Sequence, residues 1–140
     1  MQKYIIDTNA LISFVTDRNL KQQEQIASLF EEVARQKATV ICPQNVLTEF
    51  VYVMEKVYGI SNESIKTIIS DFIHTPGVEI FHDLDFEVFM KIWGEQFPEY
   101  GDAIVASVCK AVKGSTIITF DRRFRSKLKK SGIKYAEFLK

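Results

Sequence analysis

Apolar positions fall into two patterns that take turns along the chain. Short runs rich in β-branched residues occur at Tyr4-Ile5-Ile6, Ala38 to Cys42, Val78 to Phe81 and Ser115 to Phe120. Runs of this length without polar alternation read as strands buried on both faces, the kind found in parallel sheets. Between them, apolar residues recur at three and four positions, the spacing of a helix that buries one side. From Leu20 to Gln36 the stripe is Ile26, Leu29, Phe30, Val33 and Ala34, with Gln22, Glu24, Glu31 and Arg35 opposite. A second helix opens at Pro43 and runs to about Tyr58, where Gly59 ends it. Val46, Phe50, Val53, Met54 and Val57 share its inner face, and Glu49 stands at the border of that stripe.

The remaining segments follow the same logic. Ala10 to Val15 makes one or two helical turns, and Ser61 caps a helix to about His74 with Ile65, Ile68, Ile69, Phe72 and Ile73 inward. Asp83 is predicted to cap a helix holding Phe86, Phe89, Ile92, Trp93 and Phe97, whose aromatic stripe reads as core or dimer contact. Asp102 is predicted to start a helix that is apolar almost all round, from Ala103 to Val112, and Gly114 ends it. Arg122 to Lys130 forms a cationic helix, and Ile133 to Leu139 a short final strand and tail. Strands alternating with helices, joined by right-handed crossovers, predict a three-layer α/β/α fold around a central, mostly parallel sheet of four to five strands.

Polar residues at the strand ends change the picture from a fold to a site. Tyr4-Ile5-Ile6 stops at Asp7-Thr8-Asn9, and the last long run stops at Thr119-Phe120-Asp121. Open α/β sheets place ligands at the carboxyl ends of their strands, where the departing loops leave a crevice. Glu49 and Asp102, in the N-terminal parts of two helices, face the same edge. Each acid has a plainer reading: Asp7 and Asp102 as helix caps, Glu49 as a solvated helix residue. Together they are carboxylates converging without a Lys or Arg among them, and like charges so placed raise one another's pKa unless a cation neutralises them. Oxygen ligands without Cys or His select Mg²⁺, with Mn²⁺ as its substitute. This is the chemistry of metal-dependent phosphodiester hydrolysis, in which Thr8, Asn9 and Thr119 orient ligands or metal-bound water.

Composition narrows the partners. Eighteen basic side chains balance eighteen acidic ones, so no overall basic field draws a polyanion from a distance. A phosphate backbone must be held locally, for which Arg122, Arg123 and Arg125 in the dense basic block are the candidates. Cys42 and Cys109 lie inside apolar runs and read as core residues of a reducing cytoplasm. His74 and His82 lack the spacing of a zinc site. There is no signal peptide and no apolar run long enough to span a membrane. With 140 residues the chain fits a single domain, 1–140.

These motifs, in this order, resemble the PIN domain. Asp7-Thr8-Asn9 after a first strand, Glu49 in a helix opened by Pro43, Asp102-Ala103-Ile104 heading an alanine-rich helix, and Thr119-Phe120-Asp121 with Phe124 carry the likeness. It extends from about Lys3 to Ile133, while Ser61 to Phe97 holds no motif of the family. In size and lack of further domains the chain resembles the VapC-type toxins of toxin–antitoxin pairs. That resemblance implies a Mg²⁺-dependent endoribonuclease acting on RNA. It also implies a homodimer, silenced by a small antitoxin protein whose tail occupies the acidic site. Carried over residue by residue, the metal-binding acids are Asp7, Glu49, Asp102 and Asp121. A haloacid-dehalogenase-like phosphatase would need a second Asp where Asn9 stands, since an amide cannot shuttle the proton. A response-regulator receiver would need a Lys after its last strand. A non-catalytic module on the same scaffold would be expected to have lost an acid, and this chain has lost none.

Overall fold

β1 (Gln2–Ile6) lies inside the sheet because Tyr4, Ile5 and Ile6 offer solvent nothing on either face, and all three are buried. It pairs in parallel with β2 (Ala38–Pro43) on one side and β4 (Ser115–Ile118) on the other. β3 (Val78–Phe81) adds to the far side of β2, giving the order β3-β2-β1-β4. The computed structural model describes residues 1–139, and within them four parallel strands alternate with seven helices. The helices are α1 (Thr8–Val15), α2 (Leu20–Ala34), α3 (Gln44–Lys56), α4 (Asn62–Ile73), α5 (Phe86–Ile92), α6 (Tyr100–Ala111) and α7 (Arg122–Lys130).

The strand order fixes where a site can form. From β1 the chain winds outward through β2 to β3, then returns to place β4 on the opposite side of β1. Successive crossovers therefore part above the carboxyl ends of β1 and β4, which is the crevice such sheets use. The backbone N–H of Asp7 donates to the Ile118 carbonyl at 3.0 Å and locks the two strand ends together. Against this sheet packs α6, in which every residue from Ala103 to Cys109 is buried. α6 also touches α3, whose Val46, Phe50 and Met54 point inward. Cys42 and Cys109 are free and buried, as their apolar runs predicted, and burial pushes the Cys42 thiol up to about 12.

Several predicted boundaries move. The final strand does not form: Tyr135 makes one isolated bridge to Ile117, after which Ala136 and Leu139 tuck into the core. Asp85, not Asp83, caps α5, accepting from the backbone N–H of Glu87 and Val88. That helix stops at Ile92, because Gly94 takes a φ of 98° and turns the chain so that Phe97 bridges back to Trp93. Part of the aromatic stripe is core, with Phe89, Ile92 and Phe97 buried, whereas Phe86, Met90 and Trp93 are exposed. Glu99 rather than Asp102 occupies the N-cap of α6, which leaves Asp102 in the first helical turn.

Candidate active site

Asp7 ends β1 and caps α1, so both readings of it hold at once. Its Oδ1 accepts from the Thr8 backbone N–H at 2.8 Å, and its Oδ2 accepts from the Thr119 hydroxyl at 2.8 Å. The residue is 7% exposed. Burial pushes its carboxyl up to about 6, the charges of Glu49 and Asp121 push the same way, and the hydrogen bonds from Thr119 and Thr8 pull against them. Burial raises the carboxyl because a desolvated carboxylate loses the hydration that stabilises its charge.

Thr119 is the hub of a small network. It is 1% exposed, one residue beyond β4, and with its one proton directed at Asp7 its oxygen accepts from Asn9 Nδ2 and the Asp121 N–H, both at 3.1 Å. Asn9 closes the loop by accepting the Phe120 N–H on Oδ1 at 3.0 Å. Asp121 in turn caps α7, taking the N–H groups of Arg123 and Phe124 on Oδ1 at 2.9 and 3.1 Å. One carboxylate oxygen is thus used by the fold, and Oδ2 is left for the cleft.

Glu49 is an exposed residue of α3 whose Oε2 accepts from the Thr8 hydroxyl at 2.6 Å. Asp102 faces the same edge from α6. Burial comes first among the forces on it, followed by the charges of Asp7, Glu99 and Asp121, and together they push it up to about 7 against the pull of Lys127. The four acids therefore sit close enough for Asp7 to feel Glu49 and Asp121, and for Asp102 to feel Asp7 and Asp121. Among the described residues, however, no three Asp, Glu, His or Cys side chains close around one point as a formed metal cluster would. An octahedral Mg²⁺ binds through one or two carboxylates and keeps several waters, so an open, oxygen-only set suits it.

The basic block divides. Arg122 and Arg123 are exposed. Arg125 turns inward, with Nε donating to the Thr119 carbonyl at 2.9 Å, Nη2 to that of Ala136 at 3.2 Å, and its guanidinium 5.6 Å from the Tyr135 ring centre. Its place is behind Thr119, bracing the site, rather than on a phosphate.

With this geometry in hand, sequence comparison decides the family: a model of the PIN domain matches residues 4–129. The chain belongs to the PIN domain family. This PIN domain is 25% identical over 125 residues to the VapC ribonuclease of Aquifex aeolicus (strain VF5), covering 86% of this chain and 89% of that one. In fold it is similar to the DNA-bound VapBC of Salmonella typhimurium, with a TM-score of 0.69 at 19% identity over 97% of this chain and 98% of that chain. It is likewise similar to VapBC2 of Rickettsia felis bound to a fragment of promoter DNA, with a TM-score of 0.64 at 15% identity over 96% and 98% of the two chains. All of this supports the predicted α/β/α class with its central parallel sheet.

Two contributors to the PIN site escaped sequence reading. Gly101 lies in α6 without a positive φ, and its missing side chain lets the Glu49 carboxylate lie against the helix, where an added Cβ would have to displace it. A glycine inside a helix where no turn needs one was the available signal. Arg18 donates to the Asn9 carbonyl at 2.8 Å and to Ser13 Oγ at 2.9 and 3.0 Å, fixing a guanidinium beside a cleft of about 400 Å³ that Asn9 and Asp121 also line. Nothing local marks a lone cation between two helices.

Proposed function

We propose that this chain is a single PIN domain acting as a Mg²⁺-dependent endoribonuclease, the toxin of a toxin–antitoxin pair. The observation that carries the reading is the gathering of Asp7, Glu49, Asp102 and Asp121 at the crevice above β1 and β4, with two of them held well above the carboxylate range. Such an arrangement is unfavourable alone and becomes favourable around a hard divalent cation. The names of its relatives, a VapC ribonuclease and VapBC structures, agree with it.

Asp7, Glu49, Asp102 and Asp121 would hold Mg²⁺ or Mn²⁺. When bound, the cation supplies a water of lowered pKa and neutralises charge on the phosphoryl oxygens. The chain's own residues do the positioning. Thr119 and the Thr8 N–H fix both oxygens of Asp7, and the Thr8 hydroxyl aims Glu49. Asn9 holds Thr119 in register with Phe120, and Arg125 fixes it from behind. Arg122 and Arg123 face solvent at the start of α7, beside Asp121, where they can hold the phosphates flanking the cut. The exposed Phe86, Met90 and Trp93 suit a homodimer contact, and the acidic cleft would take a cationic antitoxin tail in competition with RNA. Among the described residues no helix is long and apolar enough to cross a membrane, and a cytoplasmic setting fits an RNA substrate.

Protein stripped with a chelator is expected to leave single-stranded RNA intact, and Mg²⁺ or Mn²⁺ to restore endonucleolytic cuts. Calorimetric titration of the stripped protein with Mn²⁺ should show saturable binding. Absence of both heat and cleavage from a folded sample would assign the chain to the non-catalytic scaffold class instead.

Gly101→Ala gives a sharper check on Glu49. Alanine is the better helix former by about 0.5–1 kcal/mol, so the thermal midpoint should hold or rise. The added methyl pushes the Glu49 carboxylate aside, and Mn²⁺ affinity should fall by roughly tenfold. Unaltered affinity for Gly101→Ala together with unaltered affinity for Glu49→Gln would remove Glu49 from the metal set.

A further inference from the structure

The cleft of about 400 Å³ beside the acids is walled by Asn9, Arg18, Asn19, Gln22, Phe120 and Asp121. Three parts of the chain meet there: the first turn of α1, the turn that leads into α2, and the step from β4 into α7. Asp121 uses Oδ1 to cap α7 and is one of the four gathered acids. The cleft therefore shares a wall with the acidic site.

A cation is fixed in that wall. Arg18 reaches back from its turn to the start of α1, where Nη2 donates to the Asn9 carbonyl at 2.8 Å. Nε and Nη2 also donate to Ser13 Oγ, at 3.0 and 2.9 Å. Ser13 is fully buried, and its own proton goes to Gln22 Oε1 at 2.8 Å, so its lone pairs are left for the guanidinium. Gln22 is held in turn by the N-cap of α2, since Asn19 Oδ1 accepts the Gln22 N–H at 3.0 Å.

This arrangement leaves binding capacity over. A guanidinium has five N–H donors. The bonds just described engage Nε and Nη2, and among the described residues both hydrogens of Nη1 stay unused. The partners are a hydroxyl and a carbonyl, both neutral, so the positive charge is not cancelled, and Arg18 remains exposed. Ordering a long side chain costs conformational entropy, and an arginine already held in place gives up less of it when a ligand arrives. Gln22, with its Oε1 held by Ser13, adds Nε2 as a second donor in the wall.

A planar cationic fork with amide donors beside it suits a phosphate. Asp121, in the same wall, repels any anion until a cation answers its charge. The occupant is thus an anion that is bound when the metal site is filled, as the backbone of the RNA is. We propose that Arg18 binds the phosphate of the RNA strand next to the one that is cut, and so sets the path of the strand over the α1–α2 turn. This rests on the nuclease reading above and adds a hold on the backbone from an element other than α7, which carries Arg122 and Arg123. The neighbouring phosphate is the one concerned because, of the four acids, Asp121 alone lines this cleft. Such a contact is blind to base identity. It is made in the ground state as much as in the transition state, so it acts on KM more than on kcat.

Binding and turnover are measured separately. In the cleavage-deficient Asp7→Asn background with Mg²⁺, the affinity for short oligouridylate and oligoadenylate is read by fluorescence anisotropy over a range of salt. Adding Arg18→Ala should raise Kd by roughly tenfold for both and flatten the slope of log affinity against log salt by about 0.7, the share of one phosphate on a single strand. Arg18→Lys keeps the charge and loses the fork, so it should restore the slope and part of the affinity. In the otherwise unaltered chain, Arg18→Ala should raise KM by a similar factor and lower kcat by less. Equal affinity and slope with and without Arg18, a loss that differs between the two oligomers, or a loss confined to kcat overturns the subsite. The last of these would make Arg18 a brace for Asn9 and nothing more. Should Arg18→Ala fail to fold, the Arg18 Nε–H resonance of the Asp7→Asn chain is followed in ¹⁵N–¹H spectra while oligouridylate is added. A saturable shift supports the contact, and its absence overturns it. If the unsubstituted protein cuts no RNA at all, the nuclease reading fails, and the anisotropy and resonance titrations still decide whether Arg18 holds a phosphate.

Discussion

Asp7→Asn is expected to reduce RNA cleavage by at least about a hundredfold while leaving the metal-free protein no less stable than the wild type. The two halves of this result have one cause. Asp7 is 7% exposed, and burial together with Glu49 and Asp121 makes its charge unwelcome in the absence of a cation. An amide removes that charge at constant volume and keeps an oxygen for the Thr8 N–H. The Thr119 hydroxyl, which now donates to Asp7, has a second acceptor at hand in Asn9 Oδ1, 3.3 Å away. The network can therefore turn over without leaving a buried hydroxyl unpaired. A thermal melt in chelator and a cleavage assay in Mg²⁺, run on the same preparation, give both halves. Cleavage at wild-type rates would end the metal-nuclease mechanism, and a large drop in melting temperature would mean that Asp7 serves the fold more than the site.

How much of this could be seen in the sequence depends on how local each determinant is. Strands were legible because Tyr4-Ile5-Ile6 and Thr116-Ile117-Ile118 have no polar face, and only a doubly covered sheet buries such runs. The four acids were legible because they stand where strands end and helices begin, the one edge of an α/β sheet where side chains from distant segments converge. Choices between equivalent local signals were not legible. Asp83 and Asp85 are both good caps two residues apart, and Phe86 facing outward while Phe89 packs against Tyr100 decides for the second. The Ile133 to Leu139 segment has strand composition, but it meets β4 at only one bridge before Ala136 and Leu139 turn into the core. Arg125 looked like its neighbours Arg122 and Arg123 until the Thr119 and Ala136 carbonyls claimed its guanidinium. Gly101 acts through what lies across from it, and no window of sequence contains both sides of such a contact.

The second large effect is an inverted dependence of stability on pH. The Asp7 and Asp102 carboxyls are pushed up to about 6 and about 7 from an ordinary value of 3.8. Between those limits the folded protein holds protons that the unfolded chain has already released. Stability of the metal-free protein therefore falls as pH rises from about 4 to about 7, and is flat with respect to these two groups above that. Asp102 is only partly buried and its share is discounted for screening by water, so the combined loss is on the order of 2 kcal/mol. Most carboxylates behave the other way, gaining stability as they ionise. In chelator, the melting temperature at pH 5 should accordingly exceed that at pH 8. Saturating Mn²⁺ should reverse the order, because the cation binds the ionised acids and stabilises the fold in proportion to the logarithm of its occupancy. Cleavage should switch on over the same interval, as Asp7 and Asp102 give up their protons to become ligands. A melting temperature in chelator that is equal at the two pH values, or higher at pH 8, would mean that these carboxylates are ionised and satisfied without a metal, and the argument for one would lose its footing.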